Sequence, residues 1–289
     1  MINRHIKALL SAVALAIFVI PACGQSPAIE PCPATPSKPS ITADPQKVRT
    51  SFKLLGVEAS IPDDPEVAKL IAPYAEKVRE LSEVIGRLEG DLKKGGVGAG
   101  TLGNFVTDGI RAQAKAKLGK PVVLAITNAG GLRKNEIAAG ELRASDIFEL
   151  LPFENALVAV DVTGAQLSKL VQLAVRDAQA GARIQFKWND QDRAEFISGK
   201  LVDENGKEHE IDPEKIYTIV TIDYLLGLRS GNYAILQEAK STTPLNVTIR
   251  DAIIAYVKSE TAAGRPIRAT VGDRYVQVGP GPKTTPTPR

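Results

Sequence analysis

The sequence predicts a mixed α/β fold of the α+β kind, a mixed sheet with helices packed on it, preceded by a long helix. Three observations carry that expectation. Apolar residues recur at helical spacing in several charged segments. The run Val122-Val123-Leu124-Ala125-Ile126 has the length of a strand covered on both faces. Ile184, Phe186 and Trp188 alternate with Gln185 and Lys187, as a half-buried strand does. With 44% hydrophobic and 24% charged residues in a chain of 289, the composition is globular. Lys and Arg number 36 against 33 for Asp and Glu, a net charge of +3, so no cationic stripe for a nucleic-acid polymer is required.

Residues 1–22 read as a secretory signal. Arg4, His5 and Lys7 precede the apolar run Ala8 to Ile20, which is too short to cross a hydrocarbon core that needs roughly 20 helical residues. Ile20-Pro21-Ala22-Cys23 resembles a bacterial lipobox, which implies acylation of Cys23. The alternative is ordinary cleavage followed by a Cys23–Cys32 disulfide. The expected location is therefore the bacterial cell envelope, periplasmic or facing the outer membrane, with a lipid anchor at Cys23 as the membrane contact. Residues 23–47 carry Pro27, Pro31, Pro33, Pro36, Pro39 and Pro45 among Ser, Thr and Lys, an extended tether that cannot bury a core. The tail 279–289 has the same Pro- and Gly-rich character.

Residues 48–95 are expected to connect the tether to the body through a strand and a long helix. Pro65 opens that helix, and Val67, Leu70, Ile71, Tyr74, Val78, Leu81, Ile85 and Leu88 would form its buried stripe. The body is expected over 96–278. Thr101 can cap a helix through about Lys117, and the Val122–Ile126 strand follows Pro121. A short helix at Ser145 to Leu151 stops at Pro152, ahead of a strand from Ala156 to Val162. Thr163 and Gln166 form a capping box for a helix to about Gln179. Asn205-Gly206 marks a hairpin within Val202 to Ile211, Ile216 to Ile222 is a strand, and Thr248 with Asp251 caps a last helix before the strand Asp273 to Val276.

Chemistry concentrates in three loops. Thr127-Asn128-Ala129-Gly130-Gly131-Leu132-Arg133 follows the buried strand; its glycines admit close backbone approach, Asn128 offers donor and acceptor, and Arg133 supplies a planar fork for phosphate. A tight loop with a solvated arginine is the bland alternative. In Leu150-Leu151-Pro152-Phe153-Glu154-Asn155, Phe153 can stack on a nucleobase whose edge Asn155 reads, although such a Phe is more often core. Asp223-Tyr224-Leu225 enters a glycine-bearing loop, where Tyr224 can form the opposite aromatic wall and Arg229 a second cation. Taken singly, core packing favours Tyr224 and solvent favours Arg229. Asp108, Asp223 and Glu154 lack a nucleophile beside a base, so no catalytic residue is assigned. His209 reads as a solvated hairpin residue and Trp188 as a residue packed on the sheet. With His5 in the leader, His209 alone cannot build a histidine-rich metal centre, and no metal ligand is assigned.

In this order the pieces resemble the C-terminal domain of the 5′-nucleotidase family. The resemblance runs from about Pro62 to Val276, through Ile61-Pro62-Asp63-Asp64-Pro65-Glu66-Val67, Leu102-Gly103-Asn104-Phe105-Val106-Thr107-Asp108, the Asn128–Arg133 loop, Leu151-Pro152-Phe153-Glu154-Asn155, Val162-Thr163-Gly164-Ala165-Gln166-Leu167 and Asp223-Tyr224-Leu225. It implies that Phe153 and Tyr224 wall a base, that Asn155 contacts it, and that Asn128 and Arg133 touch ribose and phosphate. It also implies a separate metallophosphoesterase domain holding two metal ions, whose His- and Asp-rich motifs this sequence lacks. No cofactor is therefore expected in this chain, and divalent metals only in a partner. Family members carry an arginine before Leu-Gly-Asn where Gly95-Gly96-Val97-Gly98-Ala99-Gly100-Thr101 stands here. They carry Gly-Gly-Asp-Gly where Gly227 to Asn232 has no aspartate, and a further glycine where Ala129 stands. The resulting expectation is an exported nucleotide- or nucleoside-recognition domain that serves a metallophosphoesterase on another chain. The competing expectation is a non-catalytic structural or adhesive surface lipoprotein with a degenerate pocket.

Overall fold

The structure is a computed structural model that describes residues 60–268 and 272–283. The signal segment, Cys23, Cys32, the tether and the connecting strand fall outside the described residues, as do residues 284–289. The folded body lies within one compact unit, Asp63–Arg289.

A short helical segment comes first. Asp64 caps α1 (Pro65–Ile71) by accepting from the Glu66 and Val67 N–H groups. A 3₁₀ turn at Ala72–Tyr74 then leads into α2 (Ala75–Glu80). The expected single helix to Leu88 is thus corrected in two respects. Pro73 lacks the N–H that would continue the ladder, so the segment is broken there. No residue of α1 or α2 is buried. Ile85 and Leu88 lie instead on strand β1 (Val84–Leu88), where they are buried, and Leu92 opens β2 (Leu92–Lys93). β1 pairs antiparallel with β5 (Gly140–Arg143), and β2 with β4 (Glu136–Ile137), so residues 84–93 belong to the body rather than to a connector.

The glycine-rich stretch before α3 (Gly100–Leu118) is a turn with positive φ at Gly96, Gly98, Ala99 and Gly100. A Cβ at Gly98 would lie 2.1 Å from the Tyr275 ring, so packing alone demands glycine there. α3 runs through Leu102, Phe105, Val106 and Ile110, all buried, and ends at Gly119 in the left-handed conformation, which caps it.

The central sheet has the order β12-β6-β11-β3-β7. It comprises β3 (Leu124–Thr127), β6 (Ala156–Thr163), β7 (Ala178–Ala180), β11 (Ile216–Ile222) and β12 (Ser241–Thr248). β11 and β3 are parallel and the other pairs antiparallel, so the sheet is mixed as expected. All of β3 is buried, in line with its continuous apolar run. β12 is an edge strand, where Pro244 can be tolerated without a ladder N–H. A second sheet, β10-β9-β8-β13, is built from β8 (Ala182–Trp188), β9 (Ala194–Val202), β10 (Glu208–His209) and β13 (Tyr275–Gln277). Trp188 packs partly buried against the core, edge-on to Phe186, and His209 Nε2 lies 2.7 Å from Asp203 Oδ2 on the hairpin.

Two caps read from sequence behave differently. Thr163 and Gln166 exchange bonds at 3.2 and 2.9 Å and start α5 (Gly164–Leu173). That helix stops at Leu173, short of the expected Gln179, because Ala178–Ala180 is drawn into the sheet beside β3. Gln179 is fully buried there, its side-chain amide accepting from Ala182 N–H and donating to Ala182 O. Thr248 accepts from Asp251 N–H at 3.0 Å and opens α7 (Ile249–Ala262), without a reciprocal bond. α4 (Ala144–Leu150) is the short helix expected before Pro152.

Strand direction decides where loops meet. The C-terminal ends of parallel β3 and β11 share one end of the sheet with the N-terminal ends of antiparallel β6 and β7 and the C-terminal end of β12. The segments after Thr127 and Ile222, before Ala156, before Ala178 and after Thr248 therefore converge there. A crevice at the carboxyl ends of parallel strands is a recurrent place for ligands in α/β sheets.

Candidate functional site

At that end of the sheet lies a cavity of about 320 Å³, lined by Asn128, Gly130, Gly131, Arg133, Phe153, Asn155 and Tyr224. Five side chains singled out in the sequence, Asn128, Arg133, Phe153, Asn155 and Tyr224, thus share one space. Arg229 does not. It is exposed and absent from the lining, because Asp223–Leu226 forms a helical turn, α6, after which Leu228 packs inward and Tyr233 is buried. The expectation of a strand running directly into a polar loop at Asp223 is corrected in the same way.

Neither aromatic ring is core. Phe153 is 48% exposed and Tyr224 54%, an unfavourable placement for apolar surface unless something covers it. The Phe153 turn is held from beneath. Arg250, itself 8% exposed, binds the Glu154 carboxylate, reaches Leu151 O at 3.5 Å, and stacks over the Phe148 ring at 4.2 Å. Ile249 N–H also donates to Asn155 O at 2.8 Å. These bonds tie the Leu151–Asn155 turn to the start of α7.

Asn128 sits at the end of β3 in extended conformation, and a 3₁₀ turn, Ala129–Gly131, follows it. Its Oδ1 is buried without a hydrogen-bond partner among the described residues. A Cβ at Gly130 or Gly131 would make only ordinary contact with Asn128, at 3.5 and 3.4 Å, so internal packing does not require glycine at either position. Arg133 N–H donates to Leu150 O at 2.8 Å, which joins this loop to the Phe153 loop. Its guanidinium lies 5.9 Å from the Phe153 ring centroid and bonds Gly130 O at 3.4 Å, with no carboxylate in ion-pair range among the described residues. Such an arginine retains most of its fork for an anion.

Sequence reasoning missed three supporting residues. Lys94 Nζ donates to Leu132 O at 2.7 Å, and burial, with the Arg133 charge second, holds its ammonium below the usual lysine range. Asp177, just before β7, accepts from Ala129 N–H at 3.0 Å and from Tyr233 O–H at 2.8 Å. Arg250 is the third. The only sequence signals were a Lys-Lys pair ahead of glycines and an arginine in the first turn of a helix that otherwise buries apolar residues.

The three acids weighed in the sequence, Asp108, Asp223 and Glu154, are each engaged structurally. Asp108 takes Arg274 at 2.6 Å through both oxygens, and Asp223 Oδ1 accepts from Tyr224 N–H at 2.7 Å. Among the described residues no group of three or more His, Cys, Asp or Glu side chains is placed to hold a metal ion. The polar side chains around the cavity, two amides, one phenol and one guanidinium with no carboxylate or imidazole, do not fit a divalent cation. Also among the described residues, no helix is long and apolar enough to cross a membrane.

The family described as "5′-nucleotidase, C-terminal domain" matches this chain over residues 82–238, beginning just before β1. The 5′-nucleotidase of Vibrio vulnificus is 31% identical over 136 residues, covering 45% of this chain and 23% of that protein. The trifunctional nucleotide phosphoesterase protein YfkN of Bacillus subtilis is 24% identical over 208 residues, 67% of this chain and 14% of the other. Among solved structures, a 5′-nucleotidase precursor from Thermus thermophilus shares the fold with a TM-score of 0.60 at 22% identity, over 76% of this chain and 44% of that one. The chain spans less than a quarter of the length of these two curated relatives.

Proposed function

The chain belongs to the 5′-nucleotidase C-terminal domain family, and from that premise we propose that its body recognises a nucleotide or nucleoside in nucleotide catabolism. The observation that carries this reading is the convergence of two exposed rings, two amides and one unpaired guanidinium on a single cavity of about 320 Å³. Phe153 and Tyr224 would stack on the faces of a base. Asn155 would bond its edge, the unpartnered Oδ1 of Asn128 would accept from a hydroxyl or ring donor, and Arg133 would meet a phosphate with parallel N–H groups. In the same proposal the protein is exported and held to the envelope through Cys23. Its bound ligand is then presented to a metallophosphoesterase on a separate chain.

Isothermal titration with AMP, adenosine and UDP-glucose tests the recognition step. Binding of at least one of them, weakened in Phe153→Ala, is expected; no heat at millimolar ligand removes the reading. Crosslinking in the native envelope tests the partner, with recovery of a metallophosphoesterase expected. A second reading, a structural or adhesive surface lipoprotein with a degenerate pocket, is favoured by one observation. The cavity lining includes no carboxylate to hold ribose hydroxyls, and Arg229 stays outside it. A titration without heat, together with whole-cell adhesion lost on deletion, would favour that second role.

A further inference from the structure

We propose that Asp177 is a positioning residue that fixes the spacing of the Phe153 and Tyr224 rings by tying two loops of the cavity to one carboxylate. This rests on the nucleotide-recognition reading for its functional consequence, though not for its geometry. Asp177 lies beside the last pair of the β3–β7 ladder, Thr127 with Ala178, and so next to the point where the chain leaves β3 for Asn128. Its Oδ1 accepts from the N–H of Ala129 at 3.0 Å, the first residue of the glycine turn. Its Oδ2 accepts from the hydroxyl of Tyr233 at 2.8 Å, in the 3₁₀ segment Asn232–Glu238. The backbone of Asp177 is itself held, its carbonyl accepting from Tyr275 O–H at 3.0 Å.

Each arm continues to one ring. From Ala129 the glycine turn leads to Arg133, whose N–H bonds Leu150 O and whose guanidinium lies over Phe153. From Tyr233 the 3₁₀ segment packs on α6, where Gln237 Nε2 bonds Leu226 O, and α6 carries Tyr224. Tyr233 is 6% exposed, and burial followed by the Asp177 charge pushes its hydroxyl far above the usual tyrosine range, so it stays a donor at any ordinary pH. A neutral side chain at 177 could satisfy at most one arm with comparable strength, whereas a carboxylate offers two strong acceptors.

Hydrogen exchange on the full chain, paired with AMP titration, tests this. Asp177→Ala should raise exchange about tenfold in both 128–133 and 223–236, each loop losing one charge-assisted bond, while α3 and α7 keep their protection, and should weaken AMP by about tenfold. Tyr233→Phe should loosen 223–236 alone. Asp177→Asn, whose amide oxygen still accepts from Ala129, should restore protection of 128–133. The tether is overturned if Asp177→Ala loosens one loop only, neither loop, or the entire body uniformly, or if AMP affinity is unchanged while both loops loosen. Should the wild-type chain bind none of AMP, adenosine and UDP-glucose, the nucleotide reading fails, and the exchange pattern alone decides the tether; should it bind adenosine or UDP-glucose but not AMP, that ligand replaces AMP in the titration.

Discussion

At the scale of single residues, the exposed rings make the sharpest prediction. Stacking on an aromatic side chain contributes about 1–3 kcal/mol per base, so Phe153→Ala should weaken adenosine by about fivefold to a little over a hundredfold. Because Phe153 is half exposed, the same change should leave the thermal midpoint close to wild type, which a melting curve beside the titration will check. Arg250 is the opposite case. Its guanidinium is buried and engaged with Glu154, Leu151 O and the Phe148 ring, so Arg250→Met should cost about 1–3 kcal/mol in urea denaturation by freeing the Phe153 turn. Sequence singled out the cavity-lining residues that local patterns mark: Phe153 behind Pro152, Asn155 two positions on, and Arg133 after paired glycines. It concealed Lys94 and Asp177 because their partners lie far along the chain, 38 residues away for Leu132 and 48 and 56 for Ala129 and Tyr233. Nothing in a one-dimensional pattern marks such a residue.

At the scale of elements, three strands of the central sheet are fastened by one carboxylate. Asp161 on β6 accepts from Thr218 Oγ on β11 at 2.6 Å and from Ser241 Oγ on β12 at 2.8 Å, with Lys120 Nζ at 3.4 Å. Those hydroxyl bonds, Thr218 foremost, outweigh burial and hold its pKa below the ordinary carboxylate value. A depressed folded-state value means the contribution is complete above the unfolded value of about 3.9 and disappears as pH falls through the folded one. Asp161→Asn should therefore cost about 1.5–3 kcal/mol at neutral pH, and its difference from wild type should shrink toward zero in urea titrations carried below about pH 4. Backbone proximity constrains a second element. A Cβ at Gly164 would stand 1.8 Å from Asp212 O, so Gly164→Ala must shift α5 or the 212–213 turn and should lower the thermal midpoint by several degrees, an overpacking cost of about 1–3 kcal/mol. Two caps were legible here because Thr163 with Gln166 and Thr248 with Asp251 are local patterns, whereas Thr101, expected to cap α3, lies inside that helix and its hydroxyl accepts from Lys93 N–H at 2.7 Å instead. The end of α5 was not, since the competition between helix and sheet for Ala178–Ala180 is settled by β3, a strand about 50 residues earlier.

At the scale of the whole molecule, the mixed sheet was readable because its strands carry either continuous apolar runs or clean alternation, and the helices on it carry caps. The error at the front of the body has a physical origin. Val67, Leu70, Ile71, Tyr74 and Val78 keep helical spacing across the break at Pro73, and the spacing continues by coincidence into Ile85 and Leu88, which lie on a strand. Packing separates the two sets. The first five side chains are all more than half exposed, whereas Ile85 and Leu88 are buried on a strand paired with β5. The first bonds that tie this region to the rest of the body come after α2: Ser145 N–H to Leu81 O at 2.8 Å, Ala144 N–H to Glu83 O at 3.0 Å and Arg143 Nη1 to Ser82 O at 2.6 Å. Stability of the body should therefore begin at Leu81. A chain trimmed to start there should keep its thermal midpoint within a few degrees of the full-length protein, because no buried residue of α1 or α2 is lost, while trimming to start at Leu92 should remove Ile85 and Leu88 from the core and cost several kcal/mol. Equal losses from the two truncations, read by urea denaturation, would show that the Pro65–Glu80 segment packs on the body after all.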